Sequence, residues 1–208
     1  MSASSPRPPL SRERIIAAAL AIVDAEGAES LTMRRLGQSL GVDPMTIYHH
    51  LPNKAAVLDG IVEQLWAGVE LPAAVSRERW QEVMVGVFSA FRARLLQHPK
   101  AVPIIGTRPS VTPALFRLIE ECLQRLETAG LSGGDAMQLI DCLSAFTIGK
   151  VLAEAGDHPE SIAAALASLT PHTHPTLLRA LADGYDFAPE AEFGRGLRAL
   201  IDGWRPAS

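Results

Sequence analysis

Apolar residues recur at helical spacing along most of this chain, and no segment alternates like a half-buried strand. Ile16, Ala19, Leu20 and Val23 share one face of a first helix that Ser11 can cap and Gly27 can stop. Thr32 caps a second helix whose Leu36 and Leu40 point inward, and Gly41 supplies its left-handed end. Asp43 caps a third, Pro44 to His50, with Pro44 at the first position, where a missing N–H is harmless. Pro52 drives Leu51 out of helical geometry and keeps this helix to about two turns. Asn53 caps a fourth helix carrying Val57, Leu58, Ile61, Val62 and Leu65. After the Leu71-Pro72 break, helices are predicted from about Arg77 to His98, Thr112 to Ala129 and Gly134 to Ala155. A short helix near Ser161 to Leu169 follows, then Pro175 to Leu181 and Pro189 to Trp204. The predicted fold is all-α: a mobile Ser/Pro-rich arm (1–10), a trihelical unit (11–58) and a helical body (59–208).

Leu31 to Lys54 reads as two short helices joined by a glycine turn, the form of a helix-turn-helix that lays its second helix in the major groove. Ile47 and Leu51 point back onto the preceding helices, which turns Met45, Thr46 and His49 outward with Tyr48 beside them. Thr46 and Met45 suit thymine methyls, Tyr48 and Lys54 suit phosphates, and Arg34 can fork onto a guanine edge. Pro44, at the start of this helix, is counted with them among the DNA-binding residues. His50 at its end can equally satisfy a carbonyl, and Arg7 in the arm is either a minor-groove contact or a tail charge. A solvated two-turn helix is the alternative, but it does not explain an exposed Met and aromatic on a segment defined at both ends.

Charge refines this picture. The 208 residues carry 19 Lys/Arg and 23 Asp/Glu, net −4. Residues 1–60 hold six of each sign, so the remainder carries the whole deficit. A neutral head is no sequence-blind polycation, and a few placed cations plus a second copy of the chain fit better. The 48% apolar content fits a globular chain. No apolar run reads as a bilayer span and no signal-peptide core is visible, so a cytoplasmic protein without a membrane partner is expected. Cys122 and Cys142 read as buried free thiols. His158, His172 and His174 fall in the least regular segment and read as turn or cap residues, because no acidic or Cys partner stands at metal-ligand spacing. No nucleophile–base pair or paired carboxylates appear, so neither an enzyme nor a cofactor is expected.

Thr32-Met33-Arg34-Arg35-Leu36, Gly41-Val42, Thr46-Ile47-Tyr48-His49-His50 and Asn53-Lys54-Ala55-Ala56-Val57-Leu58 resemble the tetracycline-repressor (TetR) family signature. Trp80, Phe91, Gly106-Thr107-Arg108-Pro109, Phe146-Thr147-Ile148-Gly149 and Leu177-Leu178-Arg179 resemble the tetracycline-repressor branch. The resemblance implies a homodimer with N-terminal DNA-binding and C-terminal inducer domains, and DNA-contacting positions at Arg34, Thr46, Tyr48 and Lys54. It also shows departures. Ile104 replaces the metal-binding histidine, Ala153 (with Glu154 next to it) the acidic ligand, and Val87 and Glu70 the drug-binding Asn and His. Tetracycline–Mg²⁺ is therefore not the expected inducer.

The surroundings of that site are apolar: Trp66, Val83, Val87, Phe91, Ile104, Ile105, Leu115, Phe116, Ile119 and Met137, with Thr107, Arg108 and Thr147 as polar points. Plain core packing accounts for many of these. Arg108 either anchors an anionic or carbonyl-bearing ligand or caps neighbouring helices through their carbonyls. The Gly134–Ala155 helix is apolar nearly all round and calls for cover on both sides. Leu143 and Val151 with Phe193, Leu197, Leu200, Ile201 and Trp204 of the last helix are expected to form a four-helix seam with a second subunit, Gly194 and Gly196 allowing close approach. The functional expectation is a regulator, a repressor by family likeness, on a palindromic double-stranded operator. An unidentified small, largely apolar effector tilts the Asn53–Trp66 strut. The rival keeps DNA binding and makes the body a dimerisation or protein-partner module only.

Overall fold

The computed structural model describes residues 9–71, 80–108, 112–156, 164–184 and 188–204. Among these every regular element is a helix: α1 (Arg12–Glu26), α2 (Met33–Leu40), α3 (Pro44–Tyr48), α4 (Lys54–Trp66), α5 (Trp80–Gln97), α6 (Val102–Thr107), α7 (Pro113–Thr128), α8 (Gly133–Ala155), α9 (Pro175–Ala182) and α10 (Pro189–Gly203). Short 3₁₀ turns at Ala28–Ser30 and Pro99–Ala101 precede α2 and α6. Arg7, Pro109, His158, the expected helix start near Arg77 and the onset near Ser161 lie outside the described residues.

The local signals place the head helices. Ser11, Thr32, Asp43 and Asn53 each accept a backbone N–H from Arg14, Arg35, Met45 and Ala56. Gly41 ends α2 at φ 68°. A Cβ on Gly37 would meet Val42 O at 2.9 Å and Pro44 Cδ at 3.2 Å, so only glycine lets α2 lie this close to the start of α3. Gly60 does the same for α4 against Ile16 of α1. Ile15, Leu36, Ile47, Val57 and Ile61 are fully buried and close the core of the head. The third helix is shorter than its sequence pattern predicts: His49 is its C-cap, and His50 lies beyond it.

The body is a helical stack centred on α8, against which α5, α6, α7 and α10 all pack. Helix α6 lies in the stretch between His98 and Thr112 for which the pattern predicts no helix; Pro103 sits in its first turn, where proline is tolerated. Contrary to expectation, α8 is by length and composition apolar enough to cross a bilayer. Its Leu139, Leu143, Thr147 and Val151 are nevertheless packed against neighbouring helices, which fits the central helix of a bundle. The expected boundary after residue 58 falls inside α4, one continuous helix that leaves the head and enters the body.

Two expectations about the seam need correcting. Leu143, Val151, Phe193, Leu197 and Ile201 are buried within the single chain, and Leu200 and Trp204 are half-buried against its core. The five buried side chains fill the space between α5, α8 and α10 and offer no free surface, whereas Leu200 and Trp204 keep part of theirs. Gly196 admits Phe146 of the same chain, whose Cζ would stand 2.6 Å from an added Cβ, and Gly194 faces open space. A polar clamp fixes this arrangement: buried Arg92 on α5 donates to Glu154 on α8 at 2.7 Å and to Glu190 on α10, and lies 5.0 Å from the Phe193 ring centroid. Cys142, expected to be buried, is exposed on α8, whereas Cys122 is buried.

Candidate functional site

The outward face of α3 follows from how Ile47 and Leu51 are anchored. Both are buried, which leaves Met45 65% exposed and Tyr48 39% exposed, with Thr46 and His49 beside them in solvent. Pro44 is half-buried against Gly37. Arg34 on α2 and Lys54 at the start of α4 are exposed on either flank. Arg35, by contrast, is tied to Glu26 and is engaged within the head. Large apolar side chains left in water beside hydroxyls and cations form a surface suited to a groove that offers methyls, acceptors and phosphates together.

The body holds a partly open cavity of about 360 Å³ between α4, α5, α6, α7 and α8. Of the thirteen residues expected around it, Trp66, Val87, Ile105, Arg108, Leu115, Ile119 and Met137 line it. Ile104 and Thr107 instead face a separate cleft of about 410 Å³, shared with Ala28, Glu29, Lys54 and Leu58 of the head. Val83 and Thr147 belong to the core, the Thr147 hydroxyl donating to Leu143 O at 2.7 Å. Phe116 is 54% exposed because its helix turns Leu115 and Ile119 inward instead. Phe91 stands one layer behind the wall, stacked on Trp66 at 3.6 Å between ring centroids and 9° from parallel. Sequence reasoning misses Phe88, Leu118, Cys122, Ile140, Asp141, Ser144 and Ile148. Their i, i+3, i+4 recurrence on α7 and α8 is visible in the chain, but nothing in it separates a cavity wall from a filled core.

The polar groups at this cavity are few. Arg108, the C-cap of α6, donates from Nε and Nη2 to Asp59 Oδ1 at 3.1 and 2.8 Å and from Nη2 to Ala55 O at 3.5 Å. It therefore reaches across to α4, and it lines the cavity as well; of the two uses open to it, contact with a helix carbonyl is present and a carboxylate is added. The Trp66 indole Nε1 is buried with no acceptor among the described residues. Burial pushes the Cys122 thiol from its ordinary 9.0 up to about 11, so it stays protonated at neutral pH. Glu154, which neighbours a family metal-ligand position, is held by Arg92 on the far side of α8. Ile104 lies outside the main cavity and Glu70 faces another surface depression beside Arg117. No group of three or more His, Cys, Asp or Glu side chains gathers at metal-binding range among the described residues. His174, at the N-cap of α9, instead holds Thr173 Oγ1 at 2.7 Å.

A family model described as bacterial regulatory proteins of the tetR family matches residues 15–61, and one described as tetracyclin repressor-like C-terminal domain matches residues 71–206. The chain is 34% identical to the class A tetracycline repressor from transposon 1721 of Escherichia coli, covering 91% of this chain and 88% of that protein. Apo ActR from Streptomyces coelicolor superposes with a TM-score of 0.84 at 28% identity, covering 96% of each chain. ActR in complex with actinorhodin superposes with a TM-score of 0.82 at 27% identity, covering 94% of this chain and 95% of that one. A head that presents α3 outward, an all-helical body around a cavity and these matches along nearly the whole chain agree: it belongs to the TetR family of bacterial transcriptional regulators.

Proposed function

We propose that this protein is a repressor that binds an inverted-repeat operator as a homodimer and is released by a small, largely apolar effector other than tetracycline–Mg²⁺. One observation carries the reading: α4 has Lys54 of the DNA-reading surface at its first residue and Trp66 of the cavity wall at its last. Thirteen helical residues make a strut about 20 Å long, stiff enough to carry a displacement at one end to the other. A coupling of about 1–3 kcal/mol between effector and operator sites is typical and corresponds to a roughly five- to 150-fold loss of DNA affinity.

The effector class follows from the lining. Trp66 and Phe88 with the aliphatic side chains around them favour a flat aromatic body, and the unpartnered indole N–H asks for an acceptor on it. ActR, which resembles this chain throughout, has been solved with actinorhodin and with (S)-DNPA. Tetracycline–Mg²⁺ is excluded from the proposal because Ile104, Val87 and Ala153 offer no metal or amide contact where the tetracycline-repressor branch has them.

The second copy pairs through the outward faces of α8 and α10. Cys142, Ala145, Gly149 and Ala153 form an exposed stripe of small uncharged residues along α8, with Ala199 exposed on α10. Such a stripe lets two helices approach closely. Enrichment of random duplex oligonucleotides by the purified protein tests the function directly. A palindrome with half-sites about one helical turn apart, or a multiple of it, is the expected result. No preference over random duplex, or a strictly monomeric protein on DNA, overturns it. Tetracycline with Mg²⁺ at micromolar concentration is expected to leave both the melting temperature and the operator complex unchanged.

A further inference from the structure

We infer that the effector presents an anionic oxygen group to Arg108, and that this anion acts by drawing Arg108 away from Asp59 on α4. The inference rests on the cavity being the effector site, and it adds the ligand's charge and the bond that is exchanged. Three features of the site lead to it.

Arg108 is the single cation among the described residues that line the cavity. Two donors at the lining are left without a protein acceptor among the described residues. Trp66 Nε1 has no acceptor, and Arg108 uses Nε and Nη2 but places Nη1 on no protein acceptor among the described residues. The Ser144 hydroxyl proton is committed to Ile140 O, so that oxygen can only accept. The one carboxylate in the wall, Asp141, is solvent-exposed on α8.

The Arg108–Asp59 pair is poorly matched for a guanidinium. Both donors converge on the single oxygen Oδ1, whereas parallel bonds to two oxygens are the stronger arrangement. The two side chains are 30% and 40% exposed, so water screens their attraction. A ligand carboxylate, phenolate or sulfonate shielded among Phe88, Ile105 and Leu115 meets the same guanidinium with less screening. The exchange needs no new cation and no metal.

The bond that is lost ties the two functional regions together. Asp59 and Ala55 lie on α4 between Lys54 and Trp66, and Arg108 grips both from the end of α6. Releasing them frees the middle of α4 from the body while its last residue stays in the cavity wall.

Two probes that share a ring system separate charge from shape: 8-anilinonaphthalene-1-sulfonate carries the anion and N-phenyl-1-naphthylamine lacks it. Both are titrated by fluorescence into the full-length protein and into Arg108→Gln, Arg108→Lys and Asp59→Asn, each checked for native helicity. Loss of a charged hydrogen bond predicts that Arg108→Gln weakens the sulfonate about tenfold or more. The neutral probe should change by less than about twofold, since its binding rests on apolar contact. Arg108→Lys should recover part of the loss, and Asp59→Asn should tighten the sulfonate because it removes the competitor. Hydrogen exchange across residues 54–66 should rise when the sulfonate binds the wild type and should already be raised in Asp59→Asn. If both probes bind and Arg108→Gln weakens them equally, the anion assignment is wrong while the cavity reading stands. The exchanged bond is refuted if Asp59→Asn fails to tighten the sulfonate, or if exchange across 54–66 does not rise. If neither probe binds, the cavity reading itself fails and this inference with it.

Discussion

In the head, each of four helices starts on an oxygen from its own N-cap side chain: Ser11, Thr32, Asp43 and Asn53 each accept an N–H two or three residues on. The body is tied by contacts between distant parts of the chain. Arg92 joins Glu154 and Glu190, which lie 62 and 98 residues away, and Trp66 stacks on Phe91 from another helix. Helices α6, α9 and α10 begin without a side-chain cap, though Thr112 and Ser132 cap α7 and α8. The difference suits the two tasks. A reader must hold a few side chains in one geometry, which local caps and a small closed core do well. A sensor must enclose a cavity, and a stack held by long-range packing can shift around a ligand without losing its helices.

The strongest way to break this contrast is to cut a long-range contact. Phe193, 2% exposed, packs on Phe146 at 5.6 Å between centroids and beneath Arg92. Phe193→Ala should destabilise the protein by about 3–5 kcal/mol in urea unfolding. Because the ring is buried inside one chain, that loss should not depend on protein concentration. A midpoint shift that disappears at high concentration would return Phe193 to the subunit seam. The next effect tests the head as a reader. Tyr48→Ala and Thr46→Ala should leave the melting temperature within about 1–2 °C, since exposed substitutions are near neutral. Loss of a base or phosphate contact should weaken operator binding by about 1–3 kcal/mol, measured by fluorescence anisotropy. Smaller again is the cap on α3. The Asp43 carboxylate accepts Met45 N–H at 2.7 Å, and Asp43→Ala should cost about 1 kcal/mol of stability. A larger loss of DNA affinity than of stability would show that the cap aims the helix as well as holding it.

What is legible in the sequence follows the same division. Caps, the left-handed Gly41 and Pro44 act within three residues of where they stand, so local pattern alone reveals the head helices and the outward side of α3. In the body the same pattern of Leu, Ile, Val and Phe describes a packed core, a cavity wall and a subunit seam, because all three exclude water. Leu143 and Ile201 therefore read as seam residues and lie in the core, while Phe116 reads as a cavity residue and lies in solvent. Helix α6 is hidden by its shortness and by Pro103, and the Arg92 clamp by the distance in sequence between its partners. Arg108 stands out as unusual from its neighbours in the chain. Its grip on Asp59, however, depends on how α6 meets α4, which no local pattern encodes.

The mildest test at neutral pH sets the two cysteines against each other. Cys142 is exposed on the outward stripe of α8, and Cys122 is buried in the cavity wall. Desolvation disfavours the Cys122 thiolate and raises its pKa from 9.0 to about 11, Arg125 opposing the shift only in part. Iodoacetamide attacks thiolates, so at about pH 8 it should spare Cys122 until urea unfolds the chain, whereas Cys142, on the proposed seam, should be shielded in the dimer and labelled once the subunits part. The folded state holds the Cys122 proton more tightly than the unfolded one. Its contribution to stability is therefore complete below pH 9 and is lost as pH rises toward about 11. Wild type should lose stability relative to Cys122→Ala across that interval and track it below pH 9, read from urea midpoints at each pH. Labelling of Cys122 in the folded protein would mean that the cavity wall there is open to water, and the desolvated setting inferred for this thiol would have to be abandoned.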